Sequence, residues 1–118
     1  MESNSPLVLV VDDNPQVLDL TSLVLTHAGY RAETASDGPA ALTWAQENQP
    51  DLILLDLLMP DMDGLAVLRA LRSDPQTADI PVVVVTASAQ PSAPRDAKSI
   101  GADGFWQKHL YKFRYCQI

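Results

Sequence analysis

A single cysteine, Cys116, leaves nothing for an internal disulfide to pair with in these 118 residues, and an intracellular, cytoplasmic setting fits that. Basic side chains are scarce: eight Lys and Arg stand against fifteen Asp and Glu, a net charge of −7. The deficit argues against nucleic acid as a direct partner, because binding there depends on neutralising phosphates with cations. It argues equally against anionic membrane surfaces. Long apolar runs are missing too. The first, Leu7 to Val11, is too short for a secretory signal or a membrane span, and the polar, acidic start MESNSP has no basic n-region. There is no internal repeat and no low-complexity stretch. What the chain does have is an apolar share of 47%, enough for one packed domain of this length and too much for a disordered chain.

The apolar residues fall in short unbroken runs. Leu7–Val11, Leu52–Leu55 and Val82–Val85 lack the alternation of a half-exposed strand and read as strands buried on both faces, the mark of a parallel sheet. Arg31–Ala35 is a shorter strand carrying charges, which suits an edge. Phe105–Gln107 is the last. Helical segments lie between them. Asp13 or Asn14 can cap the first, with Pro15 at its first position and Gly29 as its stop; Val17, Leu20, Val24 and Ala28 share its expected inner face. The second follows the turn Ser36-Asp37-Gly38-Pro39 and turns Ala41, Leu42 and Ala45 inward. Asp63 can cap the third, whose core face is Val67, Leu68 and Leu71. Pro91 and Pro94 shorten a weaker fourth, around Arg95 to Ile100. Strand and helix alternate throughout. The expected fold is therefore α/β: a doubly wound, flavodoxin-like parallel sheet of five strands in the order 2-1-3-4-5, with helices on both faces. Any site belongs at the switch point between strands 1 and 3.

Four of the five strands end in chemistry: Asp12 and Asp13, Asp56, Thr86 and Lys108. In a parallel sheet those ends share one edge. Taken singly, each has an ordinary reading: Asp56 as a strand end turning to solvent, Asp12-Asp13-Asn14-Pro15 as a capping turn, Thr86 as a satisfied hydroxyl, Lys108 as a solvated cation. Together they gather three carboxylates, a hydroxyl and an ammonium. Carboxylates so close repel unless a hard cation sits among them. Oxygen ligands in small number suit Mg²⁺, with Mn²⁺ as a second candidate. A lysine and a hydroxyl facing that cluster suit an incoming phosphoryl group.

At VVDDNP, LLDLLMPDMDG, VVVVTAS and GADGFWQK the sequence resembles the receiver domain of bacterial two-component response regulators, of the chemotaxis-regulator type, over roughly residues 5 to 108. The resemblance implies that Asp56 accepts a phosphoryl group from a sensor histidine kinase or histidine phosphotransfer protein. It implies a Mg²⁺ site of Asp12, Asp13, Asp56 and the Leu58 backbone carbonyl. Thr86 and Lys108 would bind the phosphoryl oxygens, and Phe105 would be the switch aromatic that follows Thr86. Such a domain is not an enzyme in the usual sense, since it catalyses only its own phosphorylation and dephosphorylation. Its output goes to a downstream protein still to be named, from a monomer or weak dimer.

One end of the pattern departs from the family. The family's lysine is followed by a cis-bonded proline; here His109 follows, and a trans Lys108–His109 bond is expected because cis costs about 2.5–4 kcal/mol before any residue but proline. The stretch 109–118, HLYKFRYCQI, has no acids and two of the three tyrosines, and reads as an atypical tail replacing or truncating the last helix of a single receiver domain spanning 1–118. Other readings compete. The chain could be an isolated receiver fragment of a larger regulator, or a non-phosphorylated scaffold on the same fold. A phosphatase with an aspartyl nucleophile wants an acid two residues on, where Leu58 stands. A flavin or cobalamin module is a further alternative; a flavin phosphate would be repelled by Asp12 and Asp13.

Overall fold

The computed structural model describes residues 5–57, 63–86 and 98–107. The described elements run β1 (Leu7–Val11), α1 (Pro15–His27), β2 (Arg31–Ala35), α2 (Gly38–Asn48), β3 (Leu52–Leu55), α3 (Gly64–Ser73), β4 (Val82–Thr86) and β5 (Gly104–Gln107). Helical backbone also occurs at 98–100; the rest of the expected fourth helix lies outside the described residues. The strands form one parallel sheet in the order β2-β1-β3-β4-β5, as the alternation of elements requires. β2, with its charges, is an edge strand as expected.

Short polar side chains start α1, α2 and α3. Asn14, rather than Asp13, caps α1, accepting from the Gln16 amide at 2.9 Å. Asp37 caps α2 through the Ala40 amide at 2.8 Å, and Asp63 caps α3 through the Leu65 amide at 3.1 Å. Gly29, at φ +97°, ends α1 in a conformation that side chains rarely adopt.

Because side chains alternate along a strand, each strand feeds two cores. Leu9, Val11, Ile53, Leu55, Val82 and Val84 point to one face and are fully buried beneath Ala41 and Ala45 of α2 and Val67, Leu68 and Leu71 of α3. Val8 and Val10 point to the other and meet Leu18 of α1, with Leu25, Leu52 and Leu54 half-buried around them. The reading of β3 as buried on both faces is therefore met on one face and only half met on the other.

The inner face of α1 differs from expectation. Leu18 is its buried residue, while Leu20 and Val24 are 50% and 58% exposed. Apolar residues surround this helix, so spacing alone leaves its phase undecided. Packing against Val8 and Val10 sets the phase, and it turns Leu18, Ser22 and Leu25 inward. That is about 100° from the expected face, one residue's rotation. The α2 and α3 faces lie where the spacing put them.

Candidate functional site

The sheet register brings the strand ends level. Val11 pairs with Leu55, so the residues after them, Asp12 and Asp56, emerge side by side. The Asp56 amide donates to the Val11 carbonyl at 3.0 Å, and the Asp12 amide to the Ala35 carbonyl at 3.2 Å. Asp12 and Asp56 are buried at 4% and 7% exposure, whereas Asp13 is exposed. One carboxylate oxygen from each of Asp12, Asp13 and Asp56 lies within 4.8 Å of the others. Three acids converging on one point, two of them buried, form a donor set of hard oxygens, which fits a small divalent cation.

The loops hold this arrangement from outside. An Asp12 oxygen accepts from the Asn14 amide at 3.0 Å, which fixes the turn into α1. On the other side, Gly64 opens α3 directly against the backbone of β3's end. Its amide donates to the Leu57 carbonyl at 3.0 Å. A Cβ there would sit 2.4 Å from the Leu57 Cα and 2.5 Å from the Asp56 carbonyl oxygen. Glycine at this position is what lets the start of α3 lie in close contact with the end of β3. The MPDMDG motif contains that glycine, but spacing alone gave no reason to single it out.

Val84 pairs with Leu55, so Thr86, two residues on, ends β4 just beyond the level of Asp56. Thr86 pairs in turn with Gln107, the last residue of β5. Phe105 is half-buried and packs on the larger core. Lys108, the Leu58 carbonyl, the Lys108–His109 bond and the 109–118 tail lie outside the described residues. The structure thus unites the three acids and brings Thr86 to the same edge. Two further side chains, Arg72 and Asp103, were not anticipated. They tie α3 to the start of β4 and β5, with Nη2 of Arg72 2.8 Å from Oδ2 of Asp103. Their sequence separation hides the pairing.

Comparison with known proteins agrees with this geometry. Residues 8–116 match the family model described as the response regulator receiver domain. The DNA-binding dual master transcriptional regulator RpaA of Synechocystis is 43% identical over 103 residues, covering 87% of this chain and 43% of RpaA. The chain spans less than half the length of RpaA. The chemotaxis protein CheY4 of Vibrio cholerae superposes with a TM-score of 0.83 at 35% identity, covering 90% of this chain and 88% of CheY4. The Mn²⁺-bound form of response regulator Rcp1 superposes with a TM-score of 0.82 at 28% identity, covering 93% and 85%.

Proposed function

The chain belongs to the response regulator receiver domain family, and from that premise we propose that Asp56 is its phosphoryl acceptor, fed by a histidine kinase or a phosphotransfer protein. One observation carries the assignment: Asp56 ends the central strand within 4.8 Å of the Asp12 and Asp13 carboxylates. A carboxylate meeting an anionic phosphoryl group needs its charge offset and its approach aligned. Asp12, Asp13, Asp56 and the Leu58 carbonyl would hold Mg²⁺ or Mn²⁺, which when bound neutralises the phosphoryl oxygens. The solved Mn²⁺ form of Rcp1 supports a cation of this class.

In the transfer, an Asp56 oxygen forms a bond to phosphorus. The bond from phosphorus to the donor's imidazole nitrogen breaks, and the electron pair leaves with that nitrogen. The Thr86 hydroxyl and the Lys108 ammonium bind the phosphoryl oxygens, so charge is met by fixed donors as it moves. Thr86 follows the new group, and Phe105 turns with it, altering the face around β5. The domain acts on itself and turns over no separate substrate. We read 1–118 as one receiver domain of the cytoplasm. At a net charge of −7, the output of this domain runs through protein contacts. Among the described residues no helix is long and apolar enough to cross a membrane.

Incubation with acetyl phosphate and Mg²⁺, followed by intact mass, tests the reading. One phosphoryl adduct is expected, absent without the cation and absent in Asp56→Asn. An adduct that persists in Asp56→Asn would overturn the assignment.

A further inference from the structure

The guanidinium of Arg72, in the last turn of α3, engages four oxygens at once. Nε donates to the Gly101 carbonyl at 2.9 Å. Nη1 donates to the carbonyls of Ala78 at 3.1 Å and Ile80 at 2.7 Å. Nη2 donates to Oδ2 of Asp103 at 2.8 Å. That same Asp103 oxygen accepts from the amide of Val82, the first residue of β4, at 2.9 Å. The Asp103 amide donates to the Val82 carbonyl at 2.8 Å. One side chain, 19% exposed, therefore fastens the end of α3, the entry to β4 and the entry to β5. Gly101 leaves it room: its φ is +120°, and a Cβ would lie 3.0 Å from Nε.

Among the described residues β5 runs for four residues and, at the sheet's edge, pairs with β4. A short edge strand with one partner is held by few bonds, so its register against β4 depends on how it is seated at its start. Register errors made there carry through to the far end, where Thr86 pairs with Gln107 and Lys108 follows in the sequence. That end is about 13 Å from the clamp, at ~3.3 Å per residue.

We propose that Arg72, with Asp103, is a positioning residue for phosphoryl transfer: it fixes the β4–β5 register and with it the Thr86–Gln107 pairing, after which Lys108 follows in the sequence. The inference rests on the phosphoacceptor reading above. Lysine cannot replace Arg72, because a point charge does not span four acceptors as a planar fork does. The acids of the cation site lie on the far side of β4, after β1 and β3. Losing the clamp therefore impairs the β5 side of the site and leaves the cation side alone.

The test uses the full chain as wild type, Arg72→Lys and Asp103→Asn, well below each melting temperature. Three quantities are measured: the Mg²⁺ dissociation constant, the acetyl phosphate labelling rate at saturating Mg²⁺, and hydrogen exchange of the 104–107 amides. Both variants should bind Mg²⁺ within about twofold of wild type but label about 10- to 100-fold more slowly, the scale of a small misplacement of reacting groups. Their 104–107 amides should exchange faster, and the double variant should be no slower than the worse single one. An unchanged labelling rate, or Mg²⁺ affinity falling in step with the rate, overturns the proposal. Both variants unfolding at 25 °C would do so too, since the clamp would then be purely structural. Wild-type chain that binds Mg²⁺ without labelling would instead sink the phosphoacceptor reading and this inference with it.

Discussion

The two faces of the sheet come from the same strands, yet one is sealed and the other is half open. Under α2 and α3, Leu9, Ile53, Leu55, Val82 and Val84 have at most 1% of their surface exposed. On the opposite face Val8 and Val10 are buried, while Leu52, Leu54, Val83 and Val85 remain half-buried. The sealed face is the one on which α3 closes against the end of β3, where Asp56 emerges. Stiffness is thus concentrated behind the acids, where a fixed geometry serves phosphoryl transfer.

The largest effect should come from cutting into the sealed face. Ile53→Ala removes a side chain with no exposure and should cost about 3–4 kcal/mol in urea unfolding, whereas Leu54→Ala, its neighbour on the open face, should cost about 1–2 kcal/mol. Equal losses would erase the distinction between the faces.

Next comes Gly64→Ala. Its new methyl meets the Asp56 and Leu57 backbone at under 3 Å, so α3 or the strand end must shift. We expect about 1–3 kcal/mol of destabilisation and weaker Mg²⁺ binding, because the Asp56 backbone moves. Calorimetric titration of Mg²⁺ checks the second part.

Asp13→Asn should act the other way on stability. Removing one of three converging carboxylates relieves repulsion in the cation-free chain and weakens Mg²⁺ binding. A gain of about 1 kcal/mol would raise the metal-free melting temperature by roughly 4 °C. Unchanged Mg²⁺ affinity would remove Asp13 from the ligand set.

Ser22→Ala on the open face is the smallest change. The Ser22 hydroxyl oxygen is buried without a hydrogen-bond partner. Its loss should add about 0.5–1 kcal/mol, from relief of an unsatisfied group and better helix propensity. A loss of stability in thermal unfolding would mean that the hydroxyl has a role in seating α1.

Much of this was legible in the sequence. Unbroken apolar runs gave the parallel sheet, and acids after β1 and β3 gave the carboxylate cluster, because both signals are local. The α2 and α3 faces were equally readable, since each has one apolar stripe. The phase of α1 was not: Leu18, Leu20, Leu23, Val24 and Leu25 surround the helix, and only packing against Val8 and Val10 chooses among them. The Arg72–Asp103 clamp was hidden because its partners are backbone carbonyls and a carboxylate 31 residues away. No spacing rule connects an arginine to carbonyls. The tightness at Gly64 needed coordinates as well, since a glycine at a helix start has several explanations and only one is a Cβ pressed on the Asp56 carbonyl.

One carboxylate at the end of the central strand, Asp56, should take the phosphoryl group. An aspartyl phosphate is an acyl phosphate, and borohydride reduces it to the alcohol, converting that one aspartate to homoserine. Labelling with acetyl phosphate and Mg²⁺, reduction and tandem mass spectrometry of the peptides would therefore read the site directly. Homoserine is expected at position 56 alone, with Asp12 and Asp13 intact. Homoserine at either of those positions, or at none, would contradict that assignment.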